Sequence, residues 1–155
     1  DDSVALSPAQ LRSRARKLKA TYDIHAIFID YMQLMQGDRE RRWENRQQEV
    51  ADISRGLKLL AKELQIPIIA GSQISREAES GKEMRPKLSQ MRESGAIEQD
   101  ADVVLMLYRD DYYNTNSKEP NIAEVIIGKQ RHGPTGTVKL LFQREFLRFE
   151  NTTSQ

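Results

Sequence analysis

The sequence predicts an α/β fold: a mostly parallel sheet with helices on both faces and an antiparallel extension at its C-terminal end. Three observations carry this. Short, nearly continuous apolar runs alternate with longer stretches of helical periodicity, as strands buried on both faces of a parallel sheet would. The order strand, helix, strand, helix, strand at this spacing calls for right-handed crossovers. The last two apolar runs, by contrast, are separated only by Gln143-Arg144-Glu145, as in a hairpin.

The first helix signal is complete. Ser7 can cap, Pro8 suits the first helical position, and Leu11, Ala15, Leu18 and Tyr22 fall on one face. Arg12, Arg14, Arg16, Lys17 and Lys19 form the opposite face, read as solvated. The run from Ile24 to Asp30 predicts a buried strand. A second helix is expected from Asn45 to Leu64, with Val50, Ile53, Leu57, Leu60 and Leu64 at helical spacing. Ile66 to Ala70 predicts the next strand, its proline near the start where a missing donor is tolerated. Ser80 to Lys87 is polar and reads as a mobile loop. Val103 to Tyr108 predicts a third strand of the parallel set, and Asp110 to Asn121 a turn-rich connection. Ala123 to Ile127, Thr137 to Phe142 and Phe146 to Phe149 complete the strands. Met32, Met35 and Trp43 are expected to be packing residues.

A length of 155 residues suits one domain, and no second one is read in the pattern. With 24 Lys and Arg against 23 acids the formal charge is +1, so any nucleic-acid surface has to be local. The absence of cysteine excludes disulfides, cysteine zinc sites and thiol catalysis, and is compatible with a cytosolic protein. No apolar run approaches the roughly 18 residues of a membrane span. Asp1-Asp2-Ser3 is not the start of a signal peptide. A chain that begins on two acids without Met reads as cut from something longer.

Several positions could carry chemistry. Asp30 closes an apolar strand, and ligands of open α/β sheets bind beyond the carboxyl ends of strands, so its carboxylate could hold Mg²⁺. Alone this is a weak signal, because many buried strands end in Asp as a loop cap. Tyr31 follows where many ATPases carry a glutamate base. Ser72-Gln73 ends the next strand in the same way, and an amide there could report a γ-phosphate or orient water, or serve as a plain cap. Lys129 and Arg131 open a loop of Gly133, Pro134 and Gly136, suited to phosphate or simply to solvent. Arg92, Glu93 and Gly95 lie between helical signals, where the glycine permits close backbone approach and Arg92 could neutralise phosphate. His25 and His132 make no metal spacing.

Taken in order, these segments resemble the DnaB family of hexameric replicative helicases. The matching stretches are Ile27 to Met35, Glu44 to Glu49, Ser72-Gln73-Ile74-Ser75-Arg76, Arg92-Glu93-Ser94-Gly95 and Ile97 to Val104. Tyr108 to Tyr113, Lys129-Gln130-Arg131, Gly133 to Val138 and Arg148 to Asn151 complete them. The resemblance covers practically the whole chain. It implies a partial RecA-like P-loop NTPase core, with ATP and Mg²⁺ as cofactors, single-stranded DNA as partner and a homohexameric ring. Primase and a helicase loader are implied as further partners, with a place in the bacterial cytoplasm at the replisome.

The resemblance also implies roles. Asp30 matches the Walker B aspartate that holds Mg²⁺, and Gln73 the glutamine that couples nucleotide state to the DNA loops. Lys129 and Arg131 match the basic pair that reaches a neighbouring subunit's γ-phosphate. Arg92, Glu93 and Gly95 match the loop gripping the DNA backbone, with Arg46 flanking another channel loop. Gly71 stands where the family more often has a larger residue, and His132 where Asn is usual. No Gly-x-x-x-x-Gly-Lys-Ser/Thr is present, so the Walker A segment and the N-terminal collar are expected to lie outside the chain and the isolated chain to be inactive. A RecA-like recombinase or a clock-type ring ATPase is the alternative. The wording around Arg92 and Lys129 argues against it.

Overall fold

The computed structural model describes residues 6–38, 42–74, 84–88 and 95–152. The chain divides into two compact units: Asp1–Ile74 with Glu93–Ala101, and Ser75–Arg92 with Asp102–Gln155. Among the described residues no helix is long and apolar enough to cross a membrane.

In the first unit, helix α1 spans Pro8–Tyr22. Ser7 caps the helix with Pro8 in the first turn, as the sequence predicts, and the Gln10 side chain completes a reciprocal capping box. Its expected apolar face is only partly covered. Ala15 is buried, whereas Leu18 and Tyr22 are exposed. Arg12 and Arg16 of the basic face both pair with Glu63, at the end of the neighbouring helix, so that face is partly tied down. Helix α2 spans Arg46–Leu64, capped by Asn45, whose side chain accepts from the Gln48 amide. Val50, Ile53, Leu57 and Leu60 are buried along one stripe, the helical spacing read from the sequence.

Strands β1 (Ile27–Ile29) and β2 (Ile68–Ala70) pair in parallel, Ile27 opposite Ile68 and Ile29 opposite Ala70. Both are shorter than expected. The ladder starts late because Pro67 has no amide to give and contributes only its carbonyl, which accepts from Ile27 N. The strands are not buried on both faces either, since Phe28 and Ile69 are exposed. A six-residue helix, α3 (Gly95–Asp100), completes this unit and buries Ile97.

The second unit is an antiparallel sheet in the order β3 (Val103–Tyr108), β4 (Ile122–Gln130), β5 (Gly136–Gln143) and β6 (Arg148–Asn151). This supplies the expected antiparallel extension, with β5 and β6 as the hairpin. It corrects the reading of Val103 to Tyr108 as a parallel strand. The 109–121 connection holds only the four-residue helix α4 (Asp110–Tyr113), so β4 returns beside β3 in the opposite sense with no crossover helix. Burial along β3 alternates at Val104 and Met106, the mark of one covered face. Residues 80–83 of the expected Ser80 to Lys87 loop lie outside the described residues, and 84–87 form neither helix nor strand.

Candidate functional site

Asp30 and Gly71 are the first residues past the paired ends Ile29 and Ala70, so the two chains leave the parallel ladder side by side. The ladder is extended by Gly71 N donating to Ile29 O (2.8 Å) and Met32 N donating to Gly71 O (2.9 Å). A Cβ on Gly71 would lie 3.7 Å from Asp30 Oδ1 and 3.4 Å from the Tyr31 Cβ. The small residue noted at this position therefore leaves space beside the Asp30 carboxylate. Asp30 is exposed, at the carboxyl end where α/β sheets present ligand groups, and its peptide to Tyr31 is cis.

Gln73 follows two residues after Gly71 and is held through its backbone. Gln33 spans it with both ends of one side-chain amide: Oε1 accepts from Gln73 N (3.2 Å), while Nε2 donates to Ser72 Oγ (3.0 Å) and to Gln73 O (3.4 Å). Gln33 sits in the 3₁₀ turn Met32–Leu34, whose Met32 is buried, as is Met35 just after it. Sequence reasoning misses Gln33, because nothing local marks a glutamine that bonds 40 residues downstream.

Arg46 lies at the start of α2. One guanidinium nitrogen donates to Gln33 O (2.7 Å) and Met35 O (3.2 Å), and the other pairs with Glu49 at 2.5 Å. Glu49 also accepts from Gly37 N at 2.7 Å. Burial pushes the Glu49 carboxyl up, but the Gly37 amide and Arg46 outweigh it and hold the carboxyl below its usual range. Trp43 closes the same loop: a Cβ on Gly37 would run into its ring, and its indole N–H donates to Asp52 at 2.9 Å. The expected packing roles of Met32, Met35 and Trp43 are thus met. The open cleft of about 720 Å³ lined by Arg12, Arg16, Trp43, Asp52 and Glu63, among others, includes neither Asp30 nor Gln73.

In the second unit Lys129 lies within the end of β4, not in the loop the sequence suggested, and Arg131 follows just past the strand. The pairing shifts between Val104 and Leu105: Leu105 faces Ile127, yet Val104 faces Lys129, leaving Gly128 as a bulge. The extra residue puts Lys129 on the same face as Val104, opposite to the one regular alternation would give. A Cβ at Gly128 would meet the Met106 methyl at 2.6 Å, so glycine admits that close packing. The signal that could have found this bulge is an isolated glycine inside a strand run. Arg131 is exposed; its amide donates to Asp102 O (2.9 Å) and its guanidinium lies 3.4 Å from the Asp102 carboxylate.

Gly95 opens α3, with open space where a side chain would stand. Arg92 and Glu93 lie outside the described residues. Among the described residues no group of three or more metal-ligating side chains assembles.

Residues 1–151 match the family model described as the DnaB-like helicase C terminal domain. The chain is 53% identical over 97% of its length to the replicative DNA helicase DnaB of Geobacillus stearothermophilus, and 49% identical over its full length to that of Pasteurella multocida. It spans 33% of each, about a third of these relatives. Among solved structures, one ATPase domain is 43% identical with a TM-score of 0.88, over 96% of this chain and 52% of that one. A DnaB-like replicative helicase, solved with regard to its interactions with primase, is 42% identical with a TM-score of 0.90, over 98% of this chain and 37% of that one. The fold is therefore that of these RecA-like ATPase domains, and the chain belongs to the DnaB-like helicase C-terminal domain family.

Proposed function

We propose that this chain is the C-terminal portion of one RecA-like motor domain of an ATP-dependent replicative DNA helicase. As a homohexameric ring, that helicase translocates 5′ to 3′ on single-stranded DNA and separates the duplex at the replication fork. The observation that carries this reading is the placement of Asp30 and Gln73 just past the carboxyl ends of two paired parallel strands, in a chain of this family. The one-domain reading is supported by a single family model running through both compact units.

The residues present fit a Mg²⁺-nucleotide. Mg²⁺ is commonly bound by one or two carboxylates together with substrate phosphates and water, and Asp30 offers one exposed carboxylate beside a glycine. An ion held there would neutralise charge on the β- and γ-phosphates. Gln73, neutral and able both to donate and to accept, orients toward the γ-phosphate or its water and passes that state on. Lys129 and Arg131 act on the nucleotide of a neighbouring subunit, a role that requires the exposure Arg131 has. Arg92, Glu93, Gly95 and Arg46 contact the DNA backbone, which suits movement over any sequence. Primase, with which one solved DnaB-like relative interacts, and a helicase loader are the proposed partners, in the bacterial cytoplasm. The chain has no Gly-x-x-x-x-Gly-Lys-Ser/Thr to cradle the α- and β-phosphates, so by itself it is expected to be inactive.

The test is unwinding of forked DNA by a full-length protein carrying this segment, with Mg²⁺-ATP and single-stranded tails of either polarity. Strand separation that needs a 5′ tail is expected. Arg131→Ala should lower ATP turnover by about 10³ or more while nucleotide binding stays within a few-fold. DNA-stimulated hydrolysis without unwinding would move the reading to a recombinase-like ATPase.

A further inference from the structure

Among the described residues, Gln33 is the side chain that grips the Gln73 backbone from both sides, donating to its carbonyl and accepting from its amide. Its own carbonyl is in turn held by Arg46. Three groups far apart in sequence thus form one hydrogen-bonded series: Arg46 at the start of α2, Gln33 in the 3₁₀ turn after β1, and Gln73 after β2. Each contact is selective. A primary amide offers a donor and an acceptor side by side, matched to the amide and carbonyl of a single residue. Only a guanidinium can reach the Gln33 and Met35 carbonyls with one nitrogen and keep the other on Glu49. Glu49 closes the arrangement through the Gly37 amide, so the turn carrying Gln33 is fixed at both ends.

We propose that Gln33 is the positioning residue that sets the Gln73 backbone and links it, through its own carbonyl, to Arg46. This rests on the reading of Gln73 as the coupling residue and of Arg46 as a DNA-side residue. A displacement of Arg46 by DNA is felt at Gln33 O, and Gln33 transmits it to the residue beside the nucleotide. Gln33 touches neither substrate. Its substitution therefore affects how strongly DNA accelerates hydrolysis rather than how tightly nucleotide is held.

The experiment measures ATP hydrolysis by the full-length helicase carrying this segment, with and without saturating single-stranded DNA. Gln33→Leu removes donor and acceptor together. It is expected to lower the DNA-stimulated kcat about tenfold while KM for ATP changes less than about twofold. Gln33→Glu keeps the acceptor for the Gln73 amide and loses both donations, so a smaller fall of about threefold is expected; it also serves should the leucine variant fail to fold. The discriminating measurement is the double variant. In a Gln73→Ala background, Gln33→Leu should cost less than about twofold more, because its effect passes through Gln73. Additive losses, or a rise in KM with kcat unchanged, would overturn the proposal. So would wild-type stimulation in both single variants. An unsubstituted protein whose hydrolysis ignores DNA would instead overturn the helicase reading itself, a distinct result.

Discussion

The two compact units hold their candidate residues in opposite ways. In the first, Asp30 and Gln73 sit at the ends of three-residue strands too short to fix anything by themselves, and the precision comes from loops. Gln33 spans Gln73, Arg46 and Glu49 hold the turn that carries Gln33, and Trp43 packs over Gly37. In the second, strands of six, nine and eight residues form the scaffold, and Arg131 stands exposed just past the end of β4, beside Asp102. Groups that receive a ligand on their own chain gain from being fixed beforehand. Arg131, proposed to act on a neighbouring subunit's nucleotide, is instead displayed at the surface beside Asp102 rather than enclosed by hydrogen bonds.

The largest expected effect on stability tests the first half of this comparison. Gly37→Ala drives a methyl into the Trp43 ring, which is rigid and bonded to Asp52. The loss should be about 3 kcal/mol, at the upper end for overpacking. Emission from Trp43, the only tryptophan of the sequence, should shift to the red as the ring is expelled. Unchanged emission and stability would mean the loop is not held by this contact.

A smaller effect tests the second half, where charge does the fixing. Asp111 is only 6% exposed and pairs with Arg109 and Arg144 while accepting from Asn121 N at 2.9 Å. Burial pushes its carboxyl up, but the Asn121 amide, Arg144 and Arg109 together prevail and hold it below its usual range. A carboxyl depressed in the folded state adds stability above its unfolded pKa, near 3.9, and that stability is lost as pH falls through the folded value. Asp111→Asn should therefore cost roughly 1–2 kcal/mol at neutral pH, read as faster hydrogen exchange at the Asn121 and Phe142 amides. The gap from the unsubstituted protein should start to narrow below about pH 4 and close as pH falls through the folded value. A gap that persists there would assign the effect to shape rather than charge.

Helix starts were legible in the sequence because capping is local: Ser7 with Pro8 marks the start of α1, and Asn45 stands at the start of α2. The α2 stripe was legible for the same reason. Strand direction was not. Val103 to Tyr108 reads as an apolar strand whichever way its partner runs, and that partner begins only at Ile122, beyond the α4 connection. Asp30 and Gln73 could be named from their place after apolar runs. Gln33 could not, since its meaning comes from a partner 40 residues away. The Gly128 bulge lies between: the glycine was visible, while its register against Val104 emerges only once β3 and β4 are paired.

If Asp30 and Arg131 complete one nucleotide site from different subunits, as proposed, ATP turnover should return in mixed rings assembled from full-length Asp30→Asn and Arg131→Ala chains, each expected to be inactive alone. If Arg131 acts on a neighbour's nucleotide, up to about a quarter of head-to-tail interfaces in a random equal mixture pair an intact aspartate with an intact arginine, and turnover returns accordingly. If both residues served the same chain's nucleotide, every chain would carry one lesion. Mixed rings as inactive as their components would then contradict the account.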